Sequence, residues 1–129
     1  MPSIFTRIVR GEIPCHKVAE DDRFLAFLDI NPLREGHTLV IPKVEVDKFF
    51  DLPVEVLSGI MPFAQEVARK IAKVVPCNRI GVSVIGLEVP HAHVHLIPID
   101  HLVDMDLTKP KLVFSAEALA AIAERIRNA

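Results

Sequence analysis

Apolar residues recur along this chain at two different periods, and the changes from one to the other outline its elements. Ile4, Phe5, Ile8 and Val9 fall in pairs four apart within Ser3 to Arg10, with Ser3 placed to cap and Gly11 to terminate, which predicts a short helix. Cys15 to Glu20 is a candidate edge strand that ends at the turn residues Asp21 and Asp22. Phe24 to Ile30 is a nearly continuous apolar strand in which Asp29 shares a face with Leu25 and Phe27. Arg34-Glu35-Gly36 reads as a connection to a further strand over His37 to Ile41, and Asp47 to Leu52 predicts one helical turn. Pro53 opens the longest helical pattern: Leu57, Ile60, Ala64, Val67, Ile71 and Val74 follow at threes and fours, with Glu66, Arg69, Lys70 and Lys73 opposite. Pro62 lacks the N–H that a helix interior needs, which predicts a kink or a restart near Gly59. Ile80 to Ile85 is β-branched and apolar, Gly86 is a bend, and a last strand runs from His91 to Pro98. Asp100 to Lys111 is polar and irregular, and Ser115 then caps an amphipathic helix over about 115–128 through Leu119, Ile122 and Ile126. Strands cluster instead of alternating singly with helices. That predicts an α+β fold, an antiparallel sheet with helices on one face, in one domain spanning residues 1–129.

The stretch from His91 to Pro98 departs from an ordinary apolar strand. Half of the six histidines in the chain fall at His91, His93 and His95, with Ala92, Val94 and Leu96 alternating on the other face. Three buried imidazoles in register would each need hydrogen-bond partners, which makes plain core packing a poor explanation. Asp29 poses the same question in its apolar strand. It either caps the turn at Asn31-Pro32 or stands at the strand end beside a ligand.

Composition narrows the functions available. A net charge of −2 supplies no basic field for a nucleic-acid polymer or an anionic membrane, although local donors can still bind a small anion. Cys15 and Cys77 are too few for a disulfide framework, no cationic apolar leader opens the chain, and no apolar run approaches the length of a membrane helix. These features predict a cytoplasmic protein with reduced thiols. A mean hydropathy of +0.34 is high for a small soluble monomer and points to apolar surface buried between subunits.

A row of imidazoles supports two chemistries. Two histidines at i and i+2 can grip one zinc ion, but at about 3.3 Å of rise per residue the backbones of His91 and His95 lie roughly 13 Å apart, too far to converge easily on one tetrahedral centre. Alternatively, a central imidazole attacks an electrophile such as phosphorus while a neighbour handles the proton of the leaving group, and histidine suits both tasks near neutrality. His93, flanked on each side, is the natural nucleophile. A nucleotide-binding module with little turnover and a histidine-ligated metalloprotein remain as alternatives.

At these residues the chain resembles the histidine triad (HIT) superfamily. Further blocks, Ser3-Ile4-Phe5, Ile8 to Pro14, Glu20 to Ile30, Gly36 to Lys43 and Gly86 onward, are similar to successive blocks of its Hint-like branch, so the likeness covers most of residues 3–99. The resemblance implies a five-stranded α+β homodimer, without a cofactor, that binds purine nucleoside monophosphates such as AMP or GMP and hydrolyses phosphoramidates or related adenylyl conjugates. It implies that His93 attacks the α-phosphorus, that His95 and His91 support phosphate binding and proton transfer, and that His37 is a fourth member of the group. Asp29 would hold the ribose hydroxyls. Ile4, Phe5, Ile13, Phe27 and Ile30 would wall the base, while Gly86, Glu88 and Val89 belong to a loop whose backbone N–H groups meet the phosphate. Three departures stand out. Ser3, Thr6 and Glu45 replace the Cys-x-x-Cys pair and the histidine with which many members bind structural zinc, so no metal is expected. Leu87 replaces a glutamine and cannot donate a hydrogen bond. The run Gly81 to Ile85 is more apolar than the branch's asparagine-containing loop.

Overall fold

The computed structural model describes residues 1–129. Strands β1 (Lys17–Glu20), β2 (Phe24–Leu28), β3 (Thr38–Pro42), β4 (Arg79–Ser83) and β5 (Val94–Ile99) form one antiparallel sheet in the order β1-β2-β3-β5-β4. Helices α1 (Ile4–Val9), α2 (Val54–Val74) and α3 (Ala116–Arg127) accompany it, with short 3-10 turns at Phe49–Asp51 and Leu102–Met105. No helix is long and apolar enough to cross a membrane.

Alternation along the strands divides the apolar residues between two faces. Phe24, Ala26, Leu28, Val40, Val94 and Leu96 meet the apolar stripe of α2, including Ile60, Val67 and Ile71, and that of α3, including Leu119, Ile122 and Ile126. Leu25, Phe27, Leu39 and Ile41 point the other way and pack on Phe5 of α1. Helices therefore lie on both faces, which corrects the expectation of one helical face. Six residues suffice for α1 because it buries little beyond Phe5, and Ser3 caps it by accepting the Thr6 N–H at 3.0 Å.

Two further expectations change. The last strand begins at Val94, not His91, because the Ala92 N–H bonds the Val46 carbonyl at 2.7 Å instead of joining the ladder. His91 and His93 thus sit on a pinned approach to β5. The helix α2 runs unbroken through Pro62. Pro62 and Ser58 are both exposed, so water can meet the carbonyl that the missing N–H leaves free.

The entry to β3 is tight. Gly36, next to His37, has φ +88°, and a Cβ there would lie 2.9 Å from Val75 Cγ2 and 3.3 Å from Pro98 Cγ. Gly36→Ala combines a left-handed backbone penalty with overpacking and should cost about 2–4 kcal/mol. Urea unfolding should show this as a lower midpoint at unchanged slope, and an unchanged midpoint would refute the crowding.

Candidate active site

Backbone groups decide which nitrogen of each buried imidazole carries its proton. The Leu33 N–H donates to His37 Nδ1 at 3.0 Å, so neutral His37 is protonated on Nε2. That Nε2–H donates to His95 Nδ1 at 2.9 Å, which leaves the proton of His95 on Nε2. His93 Nδ1 lies 2.7 Å from the carbonyl of His91, and a carbonyl only accepts, so in the neutral ring Nδ1 holds the proton and Nε2 carries the lone pair. His91 donates from Nε2 to the Pro42 carbonyl at 2.8 Å and accepts at Nδ1 from the Ser3 hydroxyl at 2.8 Å.

Burial supports the neutral forms of His37, His91 and His95. It pushes the pKa of His95 down to about 4, with help from the neighbouring His93 and Lys111. It holds His37 at about 3, again with contributions from His95 and Lys111, and it lowers His91 as well. Asp29 moves the opposite way, raised chiefly by desolvation. Its Oδ1 accepts the Asn31 N–H at 2.8 Å, and its Oδ2 lies 3.7 Å from His37 Nε2, a contact with a neutral ring and hence no ion pair. Capping the turn and facing a ligand are therefore not exclusive roles for Asp29.

His93 and His95 open onto a cavity of about 510 Å³, within the range of small-molecule sites. Asp29, Ile4, Phe5, Ile13, Phe27, Ile30, Gly86, Glu88 and Val89 all lie on its wall. Phe5 stands edge-on to Phe27 and His93, with ring centroids 5.5 and 5.2 Å apart. His37 and His91 are fully buried behind the wall, so His37 reaches the cavity only through His95. The wall also includes Cys15, Leu39 and Ile85, whose apolar character carries no signal that separates them from core residues, and Leu107, Thr108 and Lys111. The last three come from the irregular segment after β5, which carries no periodic signal.

The donor sets here do not fit a metal ion. Ligand atoms of Asp29, His37 and His95 lie within 4.8 Å of one another, but the two histidine nitrogens are already joined by a hydrogen bond. At the three positions where the resemblance implies zinc ligands in other members, the Ser3 N–H donates to Glu45 Oε1 at 2.7 Å and the Thr6 hydroxyl donates to the same oxygen. Ser3 in turn donates to His91. Hydroxyls are poor zinc ligands, and this network satisfies its members without one.

A model of the HIT domain matches residues 10–102. The adenosine 5'-monophosphoramidase of Schizosaccharomyces pombe is 37% identical over 133 residues, covering 99% of this chain and 98% of its own. A HIT-like protein of Methanocaldococcus jannaschii is 40% identical over 100 residues, covering 74% of this chain and 77% of its own. Among solved structures, a Hit-like protein involved in cell-cycle regulation from Bartonella henselae superposes with a TM-score of 0.86 at 32% identity, covering 98% of this chain and 94% of that one. Matched sequence and matched fold agree: the chain belongs to the HIT family.

Neutral buried histidines make stability depend on pH. Histidine titrates near 6.5 when unfolded, against about 4 for His95 and about 3 for His37 in the fold, so between those values the unfolded chain binds more protons. Stability should be complete above pH 7 and fall as pH drops through 6.5, by on the order of 1–3 kcal/mol per unit near pH 5. Urea unfolding at pH 7.5, 6 and 5 measures it, and a flat profile would contradict neutral His37 and His95.

Proposed function

We propose that this protein hydrolyses purine nucleoside phosphoramidates or related adenylyl conjugates through a covalent nucleotidyl-His93 intermediate. One observation carries the reading: the His91 carbonyl holds the Nδ1 proton of His93 and leaves the Nε2 lone pair for the cavity. In the first step that lone pair forms a bond to the α-phosphorus. The P–N bond breaks, its electron pair goes to nitrogen, and the amine leaves with a proton taken from solvent. In the second step water attacks phosphorus, the bond to His93 breaks, and the water proton returns to solvent. Nucleoside monophosphate and free His93 result.

His95 serves this chemistry without changing charge. Its Nε2–H is left as the donor, because His37 occupies Nδ1, and in this reading it bonds a phosphoryl oxygen in the cavity that His95 lines as charge builds. Ile4, Phe5, Ile13, Phe27 and Ile30 offer the apolar surface a purine needs, and Asp29 offers acceptors for ribose hydroxyls. His91 acts behind the site by positioning the segment that carries His93. The names of the fungal relatives, both adenosine 5'-monophosphoramidases, support the same substrate class.

Two further points belong to this reading. The edge strand β4 and the residues after it expose Val82, Val84 and Ile85, which supports burial against a second copy in a homodimer. Cys15 and Cys77 are free thiols, in keeping with a cytoplasmic setting. One observation favours a binding module instead: Leu87, 89% exposed at the cavity wall, brings no donor.

His93→Ala should reduce turnover of an adenosine phosphoramidate by about a thousandfold or more while AMP binding, followed by calorimetry, stays measurable. Undiminished turnover in the variant would sink the covalent route. AMP binding with no turnover in the unaltered protein would favour the module.

A further inference from the structure

After β5 the chain does not leave the site. Residues 100–112 form a strap that returns across the cavity, where Leu107, Thr108 and Lys111 join the wall. Both ends of the strap are tied down. Arg34 bonds Asp104 at 2.5 Å and Asp100 at 3.1 Å where it starts, and the Leu112 N–H bonds the Pro32 carbonyl at 2.8 Å where it finishes. Between them, Asp106 Oδ1 accepts the Thr108 N–H at 2.9 Å and the Thr108 hydroxyl at 2.6 Å, which shapes the turn leading to Lys111.

Lys111 is the only lysine or arginine on the cavity wall, where Asp29 and Glu88 are the acidic groups. Its Nζ donates to the backbone carbonyls of Leu107 and Lys109, and no carboxylate pairs with it. Its charge is felt at the site floor, where it opposes protonation of Asp29, His37 and His95. A cation with no carboxylate partner thus shares the cavity wall with His93, His95 and Leu87, whose own side chain offers no donor.

We infer that Lys111 is a substrate-binding residue that pairs with the phosphate of the nucleotide, a positive charge that the strap supplies and the loop carrying Leu87 does not. The inference rests on the nucleotide reading above. A flexible four-carbon stem lets the ammonium exchange its two neutral carbonyl partners for phosphate oxygens, and charge-assisted bonds of that kind are about twice as strong as neutral ones.

Comparing AMP with adenosine isolates the phosphate. In calorimetry, Lys111→Met should weaken AMP by about tenfold or more and leave adenosine within about twofold, while Lys111→Arg keeps most of the AMP affinity. Raising ionic strength should weaken AMP binding to the unaltered protein more than to Lys111→Met. Equal AMP affinity in the two proteins would overturn the role of Lys111 and leave the nucleotide site standing. Equal weakening of AMP and adenosine would also overturn it, showing that Lys111 only clasps the strap. If the unaltered protein binds neither compound, the nucleotide reading fails and this inference with it.

Discussion

A neutral imidazole has one proton and two nitrogens, and in water it exchanges freely between its two forms. Here that freedom is removed by main-chain groups: the Leu33 N–H at His37, the Pro42 carbonyl at His91 and the His91 carbonyl at His93. None of the three can change its role, since an amide only donates and a carbonyl only accepts. The site chemistry therefore depends on backbone positions that the sheet and its neighbouring turns hold. His95 inherits its orientation from His37, so one amide at Leu33 sets two rings.

This arrangement separates stability from reactivity within one sheet. The face under α2 and α3 holds the larger apolar core, with no histidine in it. The opposite face packs Phe5 on four strand residues and gives its remaining area to the cavity. Polar groups behind that cavity are satisfied in pairs, and no buried side-chain donor or acceptor lacks a partner. What the site lacks is positive charge, and the strap brings one lysine to it.

Much of this was legible in the residues. Alternation along Phe24 to Ile30 put Asp29 on the face it occupies, and the stripe from Leu57 to Val74 marked α2. The histidine spacing placed three rings on one side even though two of them precede the ladder, because extended chain alternates whether or not it is paired. The strap was not legible. Its course depends on Arg34 meeting Asp100 and Asp104 and on one backbone bond to Pro32, contacts between residues about 66 to 80 positions apart that no local period encodes. The face chosen by α1 was hidden for a similar reason, since it follows from Ser3 and Thr6 reaching Glu45 and His91.

That contact between Ser3 and His91, 88 residues apart, also bears on how the molecule is made. A six-residue helix is too short to persist alone in water, so α1 has little reason to form when it first leaves the ribosome. Its partners on β2 and β3 and at Glu45 follow soon after, but the contact with His91 waits for the approach to β5, and the strap follows later still. The parts of the cavity wall that come from α1 and from the strap are thus joined only after β5 has been made. Until β5 takes its place between β3 and β4, neither the sheet nor the pocket that Phe5 and Phe27 line is complete.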